Sequence, residues 1–132
     1  MQPLHLPEKL LADLEAGRRP LSAGQRAKLS FLLNAVETPL PAIYDFRGIG
    51  LANRLWSSQH VSLYIGRQSS DYQPGDIDPK LTCIIGHAEP DSPIALDYRT
   101  SPPRVVYMGQ INNESVWIQL APDYETFIQA IS

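Results

Sequence analysis

The fold is decided by the run Leu81-Thr82-Cys83-Ile84-Ile85-Gly86 and the three runs that follow it. These are Pro93-Ile94-Ala95-Leu96-Asp97-Tyr98-Arg99, then Arg104-Val105-Val106-Tyr107-Met108, then Ser115-Val116-Trp117-Ile118-Gln119-Leu120. Each is rich in β-branched or aromatic residues and bounded by Gly, Pro, Asn or Ser, the composition of a strand between turns. The intervals 87–92, 100–103 and 109–114 are too short for a parallel crossover, which needs a dozen or more residues, so the runs predict an antiparallel meander.

Working outward from these runs, the chain turns helical at Asp123. Tyr124, Phe127, Ile128 and Ile131 fall at i, i+3, i+4 and i+7 and form one apolar stripe. Pro122 stops the last strand and Asp123 is placed as the helix cap; Thr126 stands where the glutamate of a capping box would be. Trp117 is expected in the core beneath this helix, sharing it with Phe127, although a binding-face anchor is the alternative role of such a residue. On the N-terminal side, residues 7–16 form a first helix candidate with Leu10, Leu11 and Leu14 as its stripe. Residues 21–36 form a second, with Ser22 and Gln25 as a capping pair and Leu29, Phe31, Leu32, Leu33 and Val36 on a broad apolar face. Residues 49–58 read as a short helix, residues 61–65 as a strand by alternation, and residues 68–79 as a polar loop punctuated by Pro74-Gly75 and Pro79. The expected fold is α+β: a small, mainly antiparallel sheet with N-terminal helices and a C-terminal helix packed against it.

Composition agrees with one domain spanning residues 1–132. Apolar content of 43% with 19% charged residues is ordinary for a globular chain, and twelve prolines favour a loop-rich α+β domain over a helical bundle. The single Cys83 excludes an intramolecular disulfide and a multi-cysteine zinc site, and its apolar setting marks a buried thiol. No basic n-region precedes an apolar core and no run of eighteen apolar residues occurs. The expectation is a cytoplasmic protein with no membrane partner.

Several of these segments carry a family resemblance. Residues 94–99, Arg104-Val105-Val106-Tyr107, Trp117 and Ala121-Pro122-Asp123-Tyr124-Glu125-Thr126-Phe127-Ile128 resemble, in order and spacing, the C-terminal part of the SUKH superfamily. Leu40-Pro41-Ala42-Ile43-Tyr44 is similar to that family's Leu-Pro-x-x-Tyr segment, with Phe46 and Gly48 following sooner than is usual there. The superfamily includes Smi/Knr-type regulators of fungal cell-wall synthesis and bacterial immunity proteins of polymorphic toxin systems. The resemblance implies a non-catalytic protein-binding module, an immunity protein neutralising a toxin domain with a basic surface, with no cofactor. A regulatory or scaffold protein with other cellular partners is the alternative, and a small hydrolase the third reading.

Charge is unevenly spread. Residues 1–67 hold eight Lys or Arg against five Asp or Glu, while residues 68–132 hold three against nine. Asp71, Asp76, Asp78, Glu89 and Asp91 flank the Leu81 strand. They read either as solvated turn residues or as an acidic face for a basic protein partner, which nucleic acid would avoid. Asp97 and Arg99 share a strand face and form a candidate ion pair. Catalytic patterns are weak: His5, His60 and His87 have no zinc-helix spacing, although His87 stands near Glu89 and Asp91. Residues 71–78 fail the calcium-loop pattern, and Gly48-Ile49-Gly50 lacks the dinucleotide-loop context. The reading assigns no catalytic, cofactor or metal residue.

Overall fold

A computed structural model describes residues 6–15, 23–32, 42–58, 66, 74–89, 92–111 and 114–131. The four runs become strands β3 (Thr82–Glu89), β4 (Ser92–Asp97), β5 (Arg104–Ile111) and β6 (Glu114–Ala121), each antiparallel to the next. Two short strands extend this meander at its edges. β1 (Ala42–Ile43) joins β3, and β2 (Pro74–Gly75) joins β6, giving the six-stranded order β1-β3-β4-β5-β6-β2.

Pro74-Gly75, expected as turn chemistry, is therefore an edge strand. Pro74 lies opposite Ile118 and Gly75 opposite Trp117. Proline lacks a donor, and an edge strand, where that missing N–H can face away from the ladder, is one of the few places in a sheet that tolerates it. Gly75 has φ 78°, a left-handed backbone that side chains other than glycine's adopt at a cost. The strand expected at residues 61–65 lies outside the described residues, as does much of the expected 68–79 loop.

The alternation of the strands sorts the core onto two faces. Cys83, Ile85, Ile94, Leu96, Val105 and Ala121 point to one face and pack with Leu10, Leu29, Tyr124, Phe127 and Ile131. These helical residues come from α1 (Glu8–Glu15), α2 (Ala23–Leu32) and α4 (Tyr124–Ile131). Ile84, Ala95, Val106, Met108 and Trp117 point to the other face and pack with Ile77. Trp117 is fully buried, as expected, but beneath the segment leading from β2 to β3 and not beneath α4. The reason is parity: Val105 and Ala121 are paired on the helix face, whereas Met108 and Trp117 are paired on the opposite one.

The C-terminal helix forms as its stripe requires, with Tyr124, Phe127 and Ile131 buried and Ile128 half-buried. Asp123 caps it, its Oδ1 accepting from the Thr126 amide at 2.7 Å, and this bond holds the Asp123 carboxyl below the usual range. The Tyr124 hydroxyl is buried without a hydrogen-bond partner among the described residues. A buried polar atom left unpaired is a cost, so Tyr124→Phe is expected to leave stability unchanged or raise it by about 1 kcal/mol. Chemical denaturation of the two proteins would check this, and a clear loss of stability would mean that the hydroxyl is bonded in solution.

Between β2 and β3 the chain crosses from one side of the sheet to the other over the second face, burying Ile77 on the way. A 3-10 turn (Pro79–Leu81) then delivers it to β3, and the Asp78 carboxylate caps this turn by accepting from the Lys80 amide at 3.0 Å.

Candidate interaction site

The five acidic residues named from sequence separate into groups. Asp76 and Asp78 precede β3, and Glu89 is its last residue. An eight-residue strand spans about 25 Å, so these two groups stand at opposite ends of a rigid element. Asp71 and Asp91 lie outside the described residues.

Asp76 and Asp78 are both engaged in holding the crossing segment. Asp78 caps the 3-10 turn, and its carbonyl accepts from the Thr82 hydroxyl at 2.7 Å. Asp76 Oδ1 accepts from Arg99 Nη1 at 3.2 Å, and the Asp76 carbonyl accepts from Arg99 Nη2. Arg99 also donates to Asp97, from Nε at 3.1 Å, from Nη2 at 3.2 Å and from its own amide at 3.1 Å. Arg104, directly across the sheet from Asp97, adds a bond from Nε at 2.8 Å. The expected Asp97–Arg99 pair thus exists as part of a four-residue network tying the β4–β5 connection to the crossing segment. Asp97 is fully buried. Burial alone would raise its pKa, but the Arg99 side-chain and backbone bonds and the Arg104 bond outweigh it and hold the carboxyl below its ordinary value. The carboxylate is charged at neutral pH and fully occupied.

A second polar cluster forms where β1 meets α3 (Phe46–Ser58). β1 pairs only with Gly86 and His87, and the Tyr44 amide extends the ladder by one bond to the Ile85 carbonyl at 2.8 Å. The chain then leaves the edge of β3 and turns into α3, which begins three residues earlier than the sequence pattern indicates because Asp45 caps it. Asp45 Oδ1 accepts from the Gly48 amide at 2.8 Å. A Cβ at Gly48 would stand 2.8 Å from Tyr44 Cβ, so this tight return needs glycine.

Where the backbone of β1 stops, the Asn53 side chain takes over. Its Nδ2 donates to the Ile84 carbonyl at 2.7 Å and its Oδ1 accepts from the Ile84 amide at 2.8 Å. The amide serves as one more residue of edge strand. Ile49 packs into the first core and Ala52 against the second, so α3 straddles the sheet edge. Asn53→Ala would leave both Ile84 groups unpaired at a covered edge and is expected to cost about 1–3 kcal/mol. Faster amide exchange confined to Ile84 would accompany that loss; unchanged exchange would show that the bonds are dispensable.

His87 is bonded to Tyr44, with Oη 2.7 Å from Nδ1, and not to a described carboxylate. Burial lowers the His87 pKa and raises that of Tyr44, so both are neutral at pH 7. The nearby Cys83 thiol is buried and pushed up to about 11 by that burial, with an Asn53 bond pulling weakly the other way. It is the inert thiol expected from its setting. Among the described residues, no three His, Cys, Asp or Glu side chains are grouped to hold a metal ion, and no helix is long and apolar enough to cross a membrane.

Sequence reasoning missed Asn53 and the Arg99–Asp76 bond. Asn53 carried a signal: a lone amide on the apolar side of a helix has to bond something buried. The Arg99–Asp76 bond joins residues far apart in the chain, and no local pattern announces it. No protein-family model, curated protein or solved structure matches the chain.

Proposed function

We propose that the chain is a non-catalytic protein-binding module of the SUKH type, an immunity protein that neutralises a toxin domain in its own cell's cytoplasm. One observation supports this reading. The segments carrying the resemblance form β1, β4, β5, β6 and the start of α4, the elements that share a single antiparallel sheet and its closing helix. Separated pieces of the sequence thereby belong to one connected unit, as a common fold would require. Neutralisation needs only that the toxin's active surface be covered, so the module works without metal or cofactor.

A basic toxin surface would be attracted to the excess of carboxylates in residues 68–132. Asp76 and Asp78 serve the fold, so Asp71, Glu89 and Asp91 are the members of that group left to test. Co-expression with candidate toxin domains from the same cell, scored for rescue of growth and one-to-one co-purification, is the deciding experiment. Rescue that weakens, with slower and less salt-sensitive association, on reversing Glu89 and Asp91 to Lys would support an acidic contact face. Absence of rescue by every candidate, with weak binding to several unrelated proteins, would replace the toxin reading by the scaffold one.

A further inference from the structure

β1 is secured by few bonds. It pairs with β3 through Ala42 and Ile43, and the Tyr44 amide adds its bond to the Ile85 carbonyl. So short a ladder places this joint at the low end of local stability, where opening precedes global unfolding. Tyr44 closes the joint. It packs against both cores, one on each face of the sheet, and so forms a wedge at the sheet edge. Its hydroxyl lies 2.7 Å from Nδ1 of His87, with the two ring centroids 5.4 Å apart. His87 stands opposite Ala42 in the ladder, so one residue pairs with β1 and also holds the wedge. α3 starts two residues after Tyr44, and Asp45 between them caps it. What moves Tyr44 therefore moves the entry of α3.

Among the described residues, no carboxylate bonds the His87 ring. β4 places Pro93 opposite His87, with Ser92 and Ile94 beside it and no titratable group there. At the start of α3 the charged groups are Asp45, whose Oδ1 accepts from the Gly48 amide, and Arg47, a cation. β3 itself carries Cys83, a neutral thiol, and ends in Glu89, which a shift of register separates from His87. A proton added to His87 would thus lie half-buried with a neutral phenol as its bonded partner, and burial disfavours that charge. With the joint open, the ring is in water and titrates at its ordinary value, about 6.5. We propose that the Tyr44–His87 pair is an acid-sensitive latch, which closes β1 and the entry of α3 onto β3 at neutral pH and releases them in mild acid. The closed joint lowers the pKa of the ring, so the latch is at full strength above the value of a free histidine. It weakens as pH falls from there through the lower value of the closed state. That window lies above the one in which Asp97 titrates, so the two effects are separate on the pH axis.

The test is made by NMR on the whole chain. The His87 ring is titrated, and exchange of the Tyr44 amide, corrected for its intrinsic rate, is followed from about pH 7.5 to about pH 5. The amides of Leu96 and Val106, inside the meander, serve as references. His87 is expected to titrate below a free histidine. The Tyr44 amide is expected to lose protection about tenfold for each pH unit of that difference, because both readings report one coupling, while Leu96 and Val106 keep theirs. His87→Gln, whose side chain can still bond Tyr44 but does not titrate, should abolish the pH dependence. If that variant fails to fold, the two readings on the parent chain decide alone. His87 titrating at or above a free histidine, as a carboxylate against the ring would produce, overturns the proposal. So does Tyr44 protection that is constant with pH, that falls together with Leu96 and Val106, or that falls equally in His87→Gln.

Discussion

Phe127→Ala and Trp117→Ala are each expected to destabilise the protein by about 3–5 kcal/mol, the cost of removing a fully buried ring whose cavity the surroundings cannot close. Both side chains are completely buried, and each is among the largest in its cluster. The more telling result concerns their independence. Phe127 belongs to the helix-covered face and Trp117 to the opposite one, so the sheet itself stands between them. Milder substitutions that keep the chain folded, Phe127→Leu and Trp117→Phe, should give losses that add to within about 0.5 kcal/mol in the double variant. Urea denaturation of the four proteins supplies the cycle. A coupling energy above about 1 kcal/mol would join the two rings in one core, as the sequence alone had indicated.

Asp97→Asn is the second large effect. The substitution keeps shape but removes the charge that satisfies Arg99 and Arg104, and breaking a buried pair in this way costs about 3–5 kcal/mol. Both arginines keep some access to water, with side chains 29% and 18% exposed, and Arg99 keeps its Asp76 partner, so a loss of about 2–4 kcal/mol is expected. The pH dependence follows from the direction of the shift. The folded-state pKa of Asp97 lies below its unfolded value, so its contribution is complete above the unfolded carboxylate pKa, about 3.9, and fades as pH falls through the lower folded value. The stability gap between parent and Asp97→Asn should therefore be widest at neutral pH and narrow in acid. Melts of both proteins between neutral and strongly acidic pH would show it, and a gap independent of pH would mean that Asp97 matters for shape alone.

How far the sequence could be read depended on the range of the interactions involved. The meander and α4 were legible because strand alternation, short connections and the Tyr124–Phe127–Ile131 stripe are local patterns that suffice to place a chain on a sheet. Which face a residue takes was not legible for Trp117, because β-bulges shift parity. One irregularity falls between Ile84 and Gly86 and another between Val105 and Val106. β2 was read as a turn because Pro-Gly is a turn signal wherever no partner strand is known, and its partner, β6, lies some forty residues further on. Asp78 lies in a connection, as its turn neighbours imply, and Asp76 forms a bridge with Gly66 there, but a carboxylate that steadies its own chain and one that faces a partner have the same letter. Only the position of Arg99 distinguishes them for Asp76.

The order of the sheet has a consequence for how the chain acquires its shape. Among the described residues, β3, β4, β5 and β6 pair only with their sequence neighbours, apart from the two-residue additions at either edge, and α4 follows immediately. Loop closure is least costly for such contacts, so this C-terminal unit is where a folding nucleus should form, with β1, β2 and the N-terminal helices docking afterwards. Synthesis runs in the opposite direction. Leu10 and Leu29 leave the ribosome well before the Ile85, Leu96 and Phe127 against which they finally pack, and they wait exposed while the rest is made. The interval between synthesis of α1 and completion of α4 is thus the period in which these leucines lack the partners that finally cover them, and weakening the nucleus would lengthen it.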